Sequence, residues 1–217
     1  MFRTIVWMQW KSTRTLALIT TIAAFAMPLA SLKVGLDTYT PTSFVATMQN
    51  FGAAYSILAA LAGLLVALAA WRPDHAGRHV YALSLPVPRS QYAMFRFSAG
   101  LLFIVPPVLA MLVGTLMVAF SGAIPDGLHA FPISLTLRFA LATVVSYAIF
   151  FSISSSTNRT AGIIVAVIAG VIFAQYLVIV FGDSRQGVDL LDAISRFIFV
   201  RPGILSVFSG RWMLVDA

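Results

Sequence analysis

The stretch FSAGLLFIVPPVLAMLVGTLMVAF, residues Phe97 to Phe120, runs for 24 residues without a formal charge. At 1.5 Å per residue a helix of that length reaches about 36 Å, enough to cross a hydrocarbon core of about 30 Å. Pro106-Pro107 within it remove backbone donors and should kink or locally unwind the helix. Four other stretches are free of formal charge and similarly long: Thr15–Leu32, Thr47–Ala70, Phe139–Thr157 and Thr160–Phe181. Thr15–Leu32 is the shortest, at the lower limit for a span. Only the polar turn Ser154-Ser155-Ser156-Thr157-Asn158-Arg159 lies between the last two, which implies an antiparallel hairpin. The expected fold is an all-α integral membrane protein with about five transmembrane helices in one membrane domain over residues 1–217.

Composition points the same way. Of 217 residues, 60% are hydrophobic and 10% charged, and mean hydropathy is +0.94. A soluble domain carries about 25% charged residues, so this chain has too few to cover a globular surface. Lipid-facing helices need no polar coat. Cysteine is absent, which excludes disulfides, thiolate metal sites and cysteine nucleophiles. All seven acids are aspartates. The net charge of +7 is spread through short loops between apolar runs, as suits retention beside anionic lipid. A nucleic-acid binder would gather it on one solvated face.

The flanks give an orientation. With the N-terminus cytoplasmic, the inner segments hold Arg3, Lys11, Arg14, Arg72, Arg78, Arg89, Arg96 and Arg159 against one acid, Asp74. The first two outer segments hold Lys33 and Arg138 against Asp37 and Asp126, and the tail after Phe181 is neutral. That bias predicts a cytoplasmic N-terminus. Phe2, Ile5, Val6 and Trp10 share a helical face while Arg3, Thr4 and Lys11 lie elsewhere, the pattern of an amphipathic interfacial helix over residues 1–14. A cleaved signal peptide is the competing reading, given Pro28-Leu29-Ala30-Ser31; Trp7, Trp10 and the length of the apolar run weigh against it.

Beyond Phe181 the pattern breaks. Residues 183–192 are polar, and the apolar run from Ile194 to Ser209 is interrupted by Arg196, Arg201 and Pro202. Arginine at a helix centre costs about 2.5–3.5 kcal/mol on insertion, so residues 182–217 are expected as an amphipathic segment at the outer face.

Catalytic signatures are missing. No G-x-x-x-x-G-K-[ST] or kinase-type glycine loop is present, and H-E-x-x-H is impossible without glutamate. His75 and His79 have i, i+4 spacing but no evident third ligand, so a solvated pair is the simpler reading. No G-x-S-x-G elbow occurs. No enzyme activity or cofactor is expected in this chain. Polar residues within the spans mark either a path or an interhelical contact: Gln49, Asn50, Tyr55 and Ser56; Thr143, Ser146 and Tyr147; Gln175 and Tyr176. As path or interface candidates Gln49, Asn50, Tyr55, Gln175 and Tyr176 stand out. No span carries a charge, which leaves little for an ion-coupled carrier to work with.

The segment between the second and third spans is basic and polar. Asp74 can cap a short helix running through Leu83, with Pro86 and Pro88 ending it. The sequence from Leu83 to Tyr92, LSLPVPRSQY, preceded by Asp74-x-x-Gly77, resembles the coupling region of ABC-type-2 exporter permeases. Those proteins show an acidic residue, a glycine and an L-x-x-P-V-x-R segment leading into the third helix. The amphipathic N-terminus and the spacing of the spans extend the resemblance over most of the chain. Two departures stand out. The family has several glutamates before the glycine, where Asp74 is alone, and it has six spans. Here the run from Phe208 to Asp216 reads as the approach to a sixth, so the native chain is expected to continue past Ala217.

The resemblance implies a multi-pass permease subunit in a bacterial-type inner membrane. It would pair with a second permease subunit, as a homo- or heterodimer, and with separate ATP-binding-cassette ATPase subunits that hold ATP and Mg. The ATPase would dock on Asp74, Gly77, Arg78, Tyr81, Leu83, Pro86 and Arg89, with the turn near Arg159 as a further contact. A non-transport anchoring or assembly subunit, and a secondary transporter or channel, are the alternatives.

Overall fold

In a computed structural model of the protein, the described residues are 2–37, 40–76, 88–155, 163, 170, 204–209 and 212–216. They fall into two compact units, residues 1–151 with 211–217, and residues 152–210. The first contains helices α1 (Phe2–Leu36), α2 (Pro41–Ala76), α3 (Arg89–Phe120) and most of α4 (Pro132–Ser154), with short strands β1 (His129–Ala130) and β2 (Val215–Asp216). Among the described residues of the second unit is a 3-10 helix, Ile204–Phe208.

Local chemistry sets the helix ends. Thr40 Oγ1 accepts the Ser43 amide at 3.2 Å while the Ser43 hydroxyl accepts the Thr40 amide at 3.2 Å. That reciprocal box starts α2, with Pro41 at a first-turn position that loses no helical bond. Helix α3 stops at Ser121, whose amide and hydroxyl both donate to Val118 O. Gly122 and Gly127 then turn the chain with φ of 65° and 86°, angles that favour glycine. Pro132 opens α4.

The helices alternate in direction. Phe2 lies against Phe95 and Trp10 stacks on Phe103, so α1 and α3 are parallel neighbours. Ser12 meets Ala69 and Ser31 meets Tyr55, which sets α2 antiparallel to α1. Helix α4 crosses α2 where small side chains allow it. A Cβ on Gly63 would come within 2.6 Å of both Thr143 O and Tyr147 N, and beside it the Ser146 hydroxyl donates to Ala60 O at 2.8 Å. Small residues and hydroxyls that let backbones approach are the usual means of helix association in lipid. Thr115 and Thr136 hydroxyls join α3 to α4.

The distribution of side chains is inverted relative to a soluble bundle. Gln9, Thr13, Thr20 and Ser31 are on the buried face of α1, whereas Leu18, Ile19 and Ile22 are 59%, 56% and 64% exposed. Leu102, Val105, Leu109 and Val113 form a similar exposed row on α3. Such a surface is soluble only in hydrocarbon. Among the described residues, four helices are long and apolar enough to cross a membrane: Phe2–Leu36, Pro41–Arg72, Ser90–Phe120 and Pro132–Ser154.

Several boundaries differ from those expected. Residues assigned to a separate interfacial helix are continuous with the first span in α1, because no glycine or proline occurs before Pro28 to break the helix. Helix α3 runs through Pro106-Pro107 without unwinding. Helix α4 begins seven residues before Phe139, with Arg138 inside it. Asp74 is not the cap of a separate helix but lies in the last turn of α2. The expected fifth span, Thr160–Phe181, lies outside the described residues apart from 163 and 170, as does most of the tail. The described end of the tail, residues 212–216, returns to the first unit. There β2 pairs antiparallel with β1, His129 opposite Asp216, and Phe131 N–H donates to Leu214 O at 2.8 Å.

Candidate functional site

The last turns of α2 hold Trp71, and the first turns of α3 hold Tyr92 and Arg96. All three are buried, and Arg96 is only 3% exposed. Tyr92 and Arg96 sit one turn apart on α3, spacing that stacks side chains on one face. Arg96 Nε donates to the Tyr92 hydroxyl at 2.9 Å. The guanidinium carbon lies 5.2 Å from the Tyr92 ring centre and 5.5 Å from that of Trp71. Burying a cation is costly unless something replaces water around it. Here two aromatic faces and a phenol oxygen do so, and cation–π contacts strengthen when desolvated. The result ties the last turns of α2 to the first turns of α3.

Other helices join at the same place. Trp71 is 5.2 Å from Phe151 of α4, which also meets Phe97 edge-on at 5.3 Å. Tyr147 stacks on Phe97 at 5.1 Å and donates its hydroxyl to Phe97 O at 3.1 Å. Gly100 makes room for that phenol, since a Cβ there would meet the Tyr147 hydroxyl. Ile5 of α1 belongs to the same cluster.

A second tie to α1 follows from one proline. Pro73 has no N–H, so the carbonyl of Ala69 loses its helical partner. The Ser12 hydroxyl lies 3.2 Å from Ala69 O and 2.9 Å from Gln9 O, so its one proton is shared between the two carbonyls. Nearby on α1 the Gln9 side-chain amide and the Thr13 hydroxyl are buried, as is Trp71 Nε1, with no hydrogen-bond partner among the described residues. Each unpaired buried group costs about 1–3 kcal/mol.

Of the residues expected to couple to a partner, Asp74 lies in the last turn of α2 and Arg89 begins α3. Gly77, Arg78, Tyr81, Leu83 and Pro86 lie outside the described residues. Of the path or interface candidates, Tyr55 is fully buried and its hydroxyl pairs with Ser31 at 2.9 Å, an interhelical bond. Gln49 and Asn50 are on the exposed face of α2, apart from Tyr55. Gln175 and Tyr176 lie outside the described residues. Sequence reasoning missed the Trp71–Tyr92–Arg96 cluster by counting Arg96 as a flank charge. Its signal was the Tyr92-x-x-x-Arg96 spacing opposite a tryptophan at the end of the preceding span.

What this arrangement can do is mechanical. Arg96 ties the end of α2 to the start of α3, and contacts of Ser12 and Phe151 tie them to α1 and α4. Comparison of the chain with protein-family models, with curated proteins and with solved structures gives no match.

Proposed function

We propose that the chain is the membrane-spanning permease subunit of an ABC-type-2 exporter, coupled to separate ATPase subunits and lining a substrate path as a dimer. The observation that carries this reading is the sequence joining α2 to α3, Asp74-x-x-Gly77 followed by L-x-x-P-V-x-R from Leu83 to Arg89. The buried cluster at the base of that connection supports it by giving a docked partner helices to move. A short surface element that enters a partner's cleft tolerates neither added bulk nor a reversed charge. Gly77→Leu and Arg78→Asp should therefore lower captured ATPase and ATP turnover about tenfold or more. Asp126→Asn, on the α3–α4 loop, should leave both unchanged. Equal assembly and turnover in all three variants would favour an anchoring subunit or a secondary transporter instead.

In this reading the N-terminus and the α2–α3 connection are cytoplasmic in a bacterial-type inner membrane. Because the chain lacks cysteine, single cysteines at Arg78 and Asp126 can be tested in intact cells with an impermeant reagent. Only the second should label; labelling of both would overturn the orientation.

A further inference from the structure

One face of α1 combines charge and aromatic surface in a way that the cluster around Arg96 does not use. Arg3, Trp7, Lys11 and Arg14 follow at helical spacing and are all exposed, Trp7 by 65%. Leu18 and Ile22 continue the same row, 59% and 64% exposed. The first turn of α1 contains no acid.

Continuity of α1 fixes the level of these groups. Lys11 and Lys33 are 22 residues apart in one helix, about 33 Å along its axis, close to the thickness of a hydrocarbon core. Helical side chains lean toward the N-terminus, and Lys11 Nζ does so, 6.0 Å from the centre of the Trp7 ring. Arg14 follows Lys11 by three residues, the spacing that puts the two on neighbouring positions of one helix face, and it too is exposed. Helix α2 adds a third cation. Ala69 meets Ser12, and the exposed Arg72 follows Ala69 by three residues, about 4.5 Å further toward the same end. The Lys11, Arg14 and Arg72 charges thus share the level of Trp7 and Trp10, with an apolar row on one side of that level.

We infer that Lys11, Arg14 and Arg72, with Trp7, form a binding surface for the headgroups of anionic phospholipids in the leaflet at this end of the bundle. Trp7 supplies the amphipathic surface suited to the headgroup boundary, Leu18 and Ile22 pack against the acyl chains, and the cations meet the phosphate and its added negative charge. Anionic lipid is favoured over an acidic protein because the charged row runs without interruption into the hydrocarbon-facing row.

Spin-labelled phosphatidylglycerol and phosphatidylcholine, each added to vesicles of phosphatidylcholine holding the full chain, measure the selectivity directly. The wild-type protein should restrict phosphatidylglycerol in preference to phosphatidylcholine, with up to about fivefold lost per neutralised cation and less at high salt. The combined variant Lys11→Gln, Arg14→Gln, Arg72→Gln should lose most of the preference, and Arg14→Lys with Arg72→Lys should keep it. Absence of preference in the wild type would overturn the inference and leave the row to an acidic protein surface. So would an equal preference in the glutamine variant, or a loss as large in the lysine variant.

Discussion

Each end of the first unit holds an arginine against a tryptophan, and the two pairs are built differently. Arg96 is almost fully buried, held between Trp71 and Tyr92 at the ends of two helices that one short connection joins. Arg138 is only half-buried, 5.2 Å from the ring of Trp212, which arrives from the distant end of the chain. Trp212 also packs on α2, where a Cβ on Gly52 would come within 2.9 Å of its carbonyl oxygen. One cation is interior and locks neighbouring helices; the other is a lateral contact beside a two-residue strand pair. The same two residue types therefore serve as a joint at one end and a cover at the other.

That contrast can be broken by paired substitutions. Arg96→Ala removes a hydrogen bond and two ring contacts and leaves a cavity where four helices meet. It should cost about 2–4 kcal/mol, read from denaturant titration of the purified protein. Arg138→Ala should cost about 1 kcal/mol. Equal losses would mean that the joint and the cover do not differ, and the mechanical account of the α2–α3 end would fail with them. A smaller effect sharpens the comparison from inside the bundle. Tyr55→Phe removes the bond to Ser31 and keeps the ring, so about 0.6 kcal/mol should be lost in the same titration. A loss rivalling that of Arg96→Ala would shift the main interhelical constraint away from the aromatic cluster.

Much of the fold is legible in hydropathy alone. Charge-free runs located the cores of four helices correctly, because lipid-facing residues need no polar partner. The ends at Arg14, Arg96 and Arg138 were misjudged for one physical reason: each arginine was taken as a boundary. Arg14, Arg96 and Arg138 all lie inside helices, as exposed interfacial, boxed and tryptophan-covered cations respectively. Desolvation that forbids a lone charge is offset by an aromatic face, and that face comes from another helix or from residue 212. A one-dimensional pattern does not contain that partner. The polar candidates divide similarly. Tyr55 resolves into an interhelical bond, and nothing in its local sequence distinguishes it from Gln49 or Asn50, which stay exposed. The cluster at the α2–α3 end was readable in part, through the turn-spaced Tyr92 and Arg96, but its convergence with Phe151 depends on tertiary packing.

The contact between Ser12 and Ala69 O has a genetic consequence. The need for that hydroxyl is created by Pro73, in another helix and sixty-one positions away in the sequence. In a chain with alanine at position 73 the helix would satisfy its own carbonyl, and the serine would become dispensable. The two positions are thus expected to show epistasis. Replacing Ser12 should cost more while the proline is present, and the proline should cost more once Ser12 is gone.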